Sequence, residues 1–202
     1  MKTAASTRWL LAQDERVERF FAFPAAVLIL CLPVFFCLFA ASQNSRPTES
    51  QVKSAYLYNF GKFVTFPAER ASEEFSICVL GKDPFGNTLD ATVSGEQING
   101  KKIIVQRISN LQQATPCKIL YVSSSEASNL SAILLRSEQL SLLTVSDMEG
   151  FAEQGGVIGM VVQENRIRFE VNRLAADRNH LTLSSELLKV AVRVLEQKRA
   201  GK

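Results

Sequence analysis

Residues 140–172, LSLLTVSDMEGFAEQGGVIGMVVQENRIRFEVN, decide the fold, because they read as strand, turn, strand, turn, strand. The first run, 140–145, is almost wholly apolar, the pattern of a strand covered on both faces of a parallel sheet. Gly155 and Gly156 punctuate the chain, and 157–162 is a second apolar run. Gln163, Glu164 and Asn165 form a short polar connection in which Asn165 tolerates positive φ, so the next strand folds back antiparallel. In that strand Ile167, Phe169 and Val171 alternate with Arg166, Arg168, Glu170 and Asn172, so one face packs and the other presents two cations, an acid and an amide. Arg166, Arg168 and Glu170 are the leading candidates for binding a ligand or partner; the plainer reading is a half-solvated edge strand.

Upstream, strands and helices alternate. Residues 75–80 read as a strand, and Asp83-Pro84 offers a cap and a first helical residue for a helix running to about residue 92. Asn99-Gly100 marks a turn, 101–108 is the next strand, and 117–123 the third, ending in serines that suit a helix cap. The expected fold is α/β: a mostly parallel sheet with helices on both faces and an antiparallel hairpin at one edge. After Asn172, residues 174–178 form a helical turn, and Ser184 caps a last helix with Leu187, Leu188, Ala191, Val192 and Leu195 on one face.

The N-terminal 42 residues read as a signal peptide or membrane anchor. Arg16 and Arg19 precede an uncharged run, 21–41, which Pro24 and Pro33 interrupt and which ends in Ala40-Ala41-Ser42. Either outcome exports the remainder to the periplasm. Residues 43–51 read as a linker, and 52–197 as one domain. Its first helix carries Val52, Ala55, Tyr56, Phe60 and Phe63 as an apolar stripe, with Lys53, Tyr58 and Lys62 elsewhere. Tyr56, Tyr58, Asn59, Lys53 and Lys62 beside Phe60 and the other aromatics supply polar handles for an apolar pocket, with Tyr56, Asn59 and Phe60 the leading candidates; the competing assignment is core.

Cys78 and Cys117 are the cysteines outside the export segment, and in an oxidising compartment two cysteines pair. In the doubly wound order 2-1-3-4 the first and third strands are neighbours, which brings these residues together. The formal charge of +3 is scattered, without Lys or Arg runs, and gives no nucleic-acid footprint. The one histidine, His180, stands in a loop, and no nucleophile elbow, phosphate loop or metal-ligand spacing occurs. The sequence therefore predicts no enzyme, no cofactor and no metal. Lys82 and Asp83, residues 123–125, and Ser146 with Asp147 fall at the carboxyl ends of strands, where ligands bind in such sheets, although helix capping also accounts for them.

The segments KSAYLYNFGKFVTFP, ICVLGKDPFGNTLD, CKILYVS, LLTVSDMEGFAEQGGVIGMV and NRIRFEVNRLAADRNHLTLSSELLKVA resemble, in this order, the YfiR-like family of exported proteins. The resemblance covers nearly all of 52–194. It implies a periplasmic α/β regulator, often a homodimer, that binds the periplasmic sensor region of a membrane-bound diguanylate cyclase and represses it. Release under envelope or redox stress raises cyclic di-GMP and biofilm formation, and Cys78 and Cys117 match the family's disulfide. The alternative function is a small-molecule sensor serving a membrane histidine kinase, with Tyr56, Asn59, Arg166, Arg168 and Glu170 around a pocket.

Overall fold

The computed structural model describes residues 46–67 and 73–196; the expected export segment and the first residues of the expected linker, 43–45, lie outside the described residues. Helix α1 (Glu49–Phe63) opens the domain and takes up the last residues of the expected linker. Thr48 and Gln51 start it with a capping box, in which the Thr48 hydroxyl accepts from the Gln51 amide and the Gln51 side chain accepts from the Thr48 amide.

Strand β1 (Val64–Thr65) follows, then β2 (Glu74–Leu80), α2 (Asn87–Val93), β3 (Gln97–Ile98), β4 (Lys101–Ile108), β5 (Cys117–Val122), α3 (Leu130–Gln139) and β6 (Leu143–Ser146). The chain continues through β7 (Ile158–Gln163), β8 (Arg166–Asn172), α4 (Arg173–Arg178), β9 (Thr182–Leu183), α5 (Ser185–Val190) and β10 (Arg193–Leu195). The main sheet has the order β10-β8-β7-β6-β5-β2-β4-β3, and β1 pairs with β9 separately. β4, β2, β5, β6 and β7 run parallel to one another, β3 joins β4 antiparallel, β7 and β8 form the antiparallel hairpin, and β10 lies parallel to β8. The expected architecture is present, including the 2-1-3-4 arrangement of the first four long strands.

Two hydrophobic layers sandwich the sheet. Leu57 and Phe60 of α1 and Leu89 of α2 pack with Ile77, Val79, Ile119, Tyr121 and Phe169 on one face. Ile133 of α3 packs with Phe151, Leu80, Leu120 and Val122 on the other. The inner strands β2, β5 and β6 are buried almost throughout, as their unbroken apolar runs require.

Four local readings are corrected. The buried face of α1 is Lys53, Ser54, Leu57, Phe60 and Gly61, rotated from the expected stripe, and Phe63 is exposed. Gly61 is there because a Cβ would lie 2.5 Å from Ile98 Cδ1. Helix α2 starts at Asn87, since Asp83 instead accepts from the Phe85 amide and folds a turn around Pro84. β6 begins at Leu143, after Leu140 caps α3 and Ser141 turns the chain at φ 48°. The last helix stops at Val190, and the chain then extends into β10, which flanks the hairpin beside Glu170–Asn172.

Candidate functional site

The strand that carries the polar ladder is held by a two-residue turn: Glu164 and Asn165 both have positive φ, and Gln163 pairs with Arg166 across it. That is the geometry in which a tight hairpin keeps the strand twist. On β8 the alternation places Ile167, Phe169 and Val171 against α1. Tyr56 stacks on Phe60 at 5.6 Å, and both rings meet Phe169 edge-on, at 5.5 and 5.0 Å. The Tyr56 hydroxyl donates to the Ile167 carbonyl at 3.1 Å. Arg166, Arg168 and Glu170 face the other way. The predicted residues therefore divide between two faces of one strand: Tyr56 and Phe60 join the packed face, and Phe60, 1% exposed, is core. Asn59 is exposed and turns its amide to the Ala55 carbonyl of its own helix at 2.9 Å. Glu170 is taken by Arg193 of β10 at 2.7 Å, and Arg193 also pairs with Glu153. Burial pushes the Glu170 carboxyl above its ordinary range. Arg166 and Arg168 are exposed, and no ion pair engages them among the described residues.

A second constellation lies at the carboxyl end of β6. Lys53, 7% exposed, reaches from α1 to Asp147 at 2.5 Å and also pairs with Glu49 one turn earlier. Burial disfavours the Lys53 ammonium, but its bonds to Asp147 and Glu49 prevail and hold it above the ordinary lysine range. Burial likewise raises the Asp147 carboxyl, and hydrogen bonds from Lys53 and Tyr121 outweigh it, so the group lies below the usual range. Tyr121 is driven well up, first by burial and then by the Asp147 charge. Glu49, Lys53 and Asp147 line one part of a cleft of about 360 Å3, whose apolar lining is Met160, Val162 and Ile167. Sequence reading placed Asp147 at a strand end and put Lys53 off the buried stripe of α1, as one of several possible polar handles of an apolar pocket. The spacing of Lys53, Leu57, Phe60, Gly61 and Val64 carries the missing signal: a helical stripe in which a lysine is buried because a distant carboxylate meets it.

The other strand-end candidates are structural. Arg107 ties Asp83 at 3.0 Å, Asp90 at 2.8 Å and the Gly86 carbonyl, binding α2 to β4. The Arg107 hydrogen bonds hold the Asp90 carboxyl below its usual range. The Lys82 amide donates to Ser125 Oγ, and Ser123 caps a 3-10 turn, residues 124–129. His180 is exposed, with φ 56°, at the end of α4, where the His180 and Leu181 amides donate back to Asp177 and Ala176. It occupies the left-handed position of a helix stop that glycine commonly fills. Among the described residues no group of His, Cys, Asp and Glu is arranged to hold a metal ion.

Cys78 and Cys117 form a disulfide, as expected, with Cα atoms 5.8 Å apart. Neighbouring strands alone do not bring the sulfurs together. Period-two alternation would put Cys117 with Ile119 and Tyr121, on the face opposite Cys78. The register slips between Ser76 and Ile77, so that Ser76 pairs with Cys117 and Ile77 with Ile119, leaving Lys118 as an extra residue. The bulge turns Cys117 to the Cys78 face.

Comparison with known proteins follows the same boundaries. The family profile described as YfiR/HmsC-like matches residues 50–192, most of the chain and nearly all of the described domain. Among curated proteins none matches. A conserved domain protein from Vibrio cholerae O1 biovar eltor str. N16961 has a similar structure, with TM-score 0.51 and 13% identity over 75% of this chain. The match spans 62% of that protein's chain, and the likeness is one of fold. The ABC domain in complex with L-Trp from Streptococcus pneumoniae gives TM-score 0.44 at 11% identity, covering 60% of this chain and 55% of that one. Among the described residues no helix is long and apolar enough to cross a membrane. With the profile spanning the domain from α1 to the start of β10, the chain belongs to the YfiR/HmsC-like family.

Proposed function

We propose that this protein binds the periplasmic sensor region of a membrane-bound diguanylate cyclase and represses it, lowering cyclic di-GMP and biofilm formation. The family match over residues 50–192 carries this reading. The domain is exported by residues 1–42, as a cleaved signal peptide or a retained anchor, with a short linker before α1 and the domain from α1 onward as the functional unit, and it works as a homodimer. Arg166 and Arg168 are its contacts with the partner: they are exposed, charged and pre-positioned on a strand whose other face is fixed to α1. Tyr56, Asn59, Phe60 and Glu170 support that strand or border it.

The test is cellular cyclic di-GMP in wild type, in a strain lacking this gene and in the complemented strain. A rise on deletion that complementation reverses is expected; unchanged levels would remove the cyclase from the account. A small-molecule sensor role is the second reading, favoured by the cleft of about 360 Å3 beside Lys53 and Asp147, lined by polar and apolar residues. Thermal stabilisation by aromatic or acidic metabolites, lost on Asp147→Asn, distinguishes it.

A further inference from the structure

The outer edge of β8 is covered along only half its length. β10 pairs with Glu170, Val171 and Asn172, and the Val192 amide reaches the Phe169 carbonyl at 3.0 Å. Before that point no strand flanks Arg166, Ile167 and Arg168 on this side among the described residues. The hairpin register pairs Val162 with Ile167 and Val161 with Arg168. In a two-residue hairpin the bonded pairs are those in phase with Gln163 and Arg166, so the amide and carbonyl of Ile167 point outward, away from β7. The Ile167 carbonyl is occupied by the Tyr56 hydroxyl, a single side-chain bond where a strand would make main-chain ones.

We propose that this open edge, residues 166–168, is a docking site for an extended acidic segment of a protein partner, which adds as a short strand beside β8. The idea rests on the reading of the protein as a protein-binding regulator and adds where and how it binds. Charge selects the occupant. The two exposed guanidiniums stand on one face with Ile167 between them on the other, so a strand reading acid, apolar, acid places a carboxylate beside each arginine and an apolar residue beside Ile167 and Tyr56. A second copy fits badly, because antiparallel pairing centred on Ile167 sets Arg166 against Arg168 twice. Tyr56 acts as the guard of the edge: its hydroxyl holds the outward carbonyl until a partner amide replaces it. A lone edge strand is otherwise a template for unspecific pairing.

The test uses the full-length chain in detergent and a dye-labelled synthetic peptide of alternating glutamate and valine, blocked at both ends, read by fluorescence polarisation. The peptide is expected to bind, and its lysine–valine counterpart is not. Arg166→Glu with Arg168→Glu should weaken glutamate-peptide binding roughly tenfold and transfer the preference to the lysine peptide. Tyr56→Phe, which keeps the ring and removes the competing hydroxyl, should tighten binding several-fold, about what one hydrogen bond supplies. N-methylation of the peptide's central amides should abolish binding, and hydrogen exchange in residues 163–169 should slow when the unmodified peptide is bound.

Absence of binding, indifference to the charge swap, or full binding by the N-methylated peptide would overturn the proposal. Concentration-dependent protection of residues 163–169 without peptide would overturn it in favour of a second copy. If the peptide binds as described but deletion leaves cyclic di-GMP unchanged, the cyclase reading fails and the docking site stands. If deletion raises cyclic di-GMP but the folded double-glutamate variant still restores repression, the docking site fails and the cyclase reading stands.

Discussion

The parallel strands β2, β5 and β6 and the outer strands β8 and β10 belong to one sheet but are stabilised in opposite ways. The inner strands are buried on both faces, and two of them are joined by Cys78–Cys117. β8 buries one face, against Tyr56 and Phe60, and Arg193 of β10 holds the rim between Glu170 and Glu153. The difference separates tasks. A strand buried on both faces contributes stability and has no surface left to recognise anything, whereas one buried on one face can lend its other face and free edge to a partner with little loss of core.

The largest effect expected on this contrast comes from removing the disulfide. Cys78→Ser with Cys117→Ser opens a loop spanning a separation of 39 residues, which chain entropy values at about 4 kcal/mol of stability, measured by denaturant unfolding with and without reductant. A loss near zero would place the strength of the inner sheet in packing alone. Phe60→Ala tests the link between the halves: it empties a buried aromatic site beside Phe169 and should cost about 3–5 kcal/mol by the same assay.

Next in size is the Lys53–Asp147 pair. Asp147→Asn leaves Lys53 buried with only the exposed Glu49 and should cost about 2 kcal/mol, less than a fully buried pair because Asp147 is partly solvated. Its pH dependence has a definite sign. The folded Asp147 carboxyl lies below its unfolded value, so its contribution is complete above the unfolded value of about 3.9 and is lost as pH falls through the folded one. Lys53 lies above its unfolded value, so its contribution is complete below about 10.4 and is lost only as pH rises through the folded value. Asp147→Asn should therefore remove stability at neutral pH and flatten the acid limb below about pH 4; an unchanged acid limb would contradict the assignment. The smallest stability effect belongs to the rim: Arg166→Glu with Arg168→Glu should shift unfolding by no more than about 0.5 kcal/mol, because neither side chain is packed.

The two regions were also unequally legible in the sequence. The inner strands announce themselves as apolar runs, and Asn99-Gly100 and Asn165 mark the β3–β4 and β7–β8 turns by residue chemistry; all three residues take positive φ. The cysteine pairing followed from strand order, but the bulge that makes it possible left no trace, because Lys118 looks like any polar strand residue. Lys53 shares a helical stripe with Leu57, Phe60 and Gly61, but a lysine there reads as buried only once its partner is known, and that carboxylate, 94 residues away, is encoded by no local period. β10 was hidden because Leu187, Leu188, Ala191, Val192 and Leu195 satisfy a helical period; the pairing with β8, a tertiary effect, overrides it. The ladder on β8 was read correctly as alternating, but alternation also separates Tyr56 and Phe60 from Arg166 and Arg168, so the residues once grouped around one pocket lie on two faces.

The most direct test of this division of labour compares two variants in cells, Cys78→Ser with Cys117→Ser and Arg166→Glu with Arg168→Glu, for folded protein in the periplasm and for cyclic di-GMP. The predicted result is that the cysteine variant loses both folded protein and repression, while the arginine variant accumulates folded protein at wild-type level and still raises cyclic di-GMP to the level of the deletion. An arginine variant that is folded and represses like wild type would contradict the account, because recognition would then lie away from the open edge of β8.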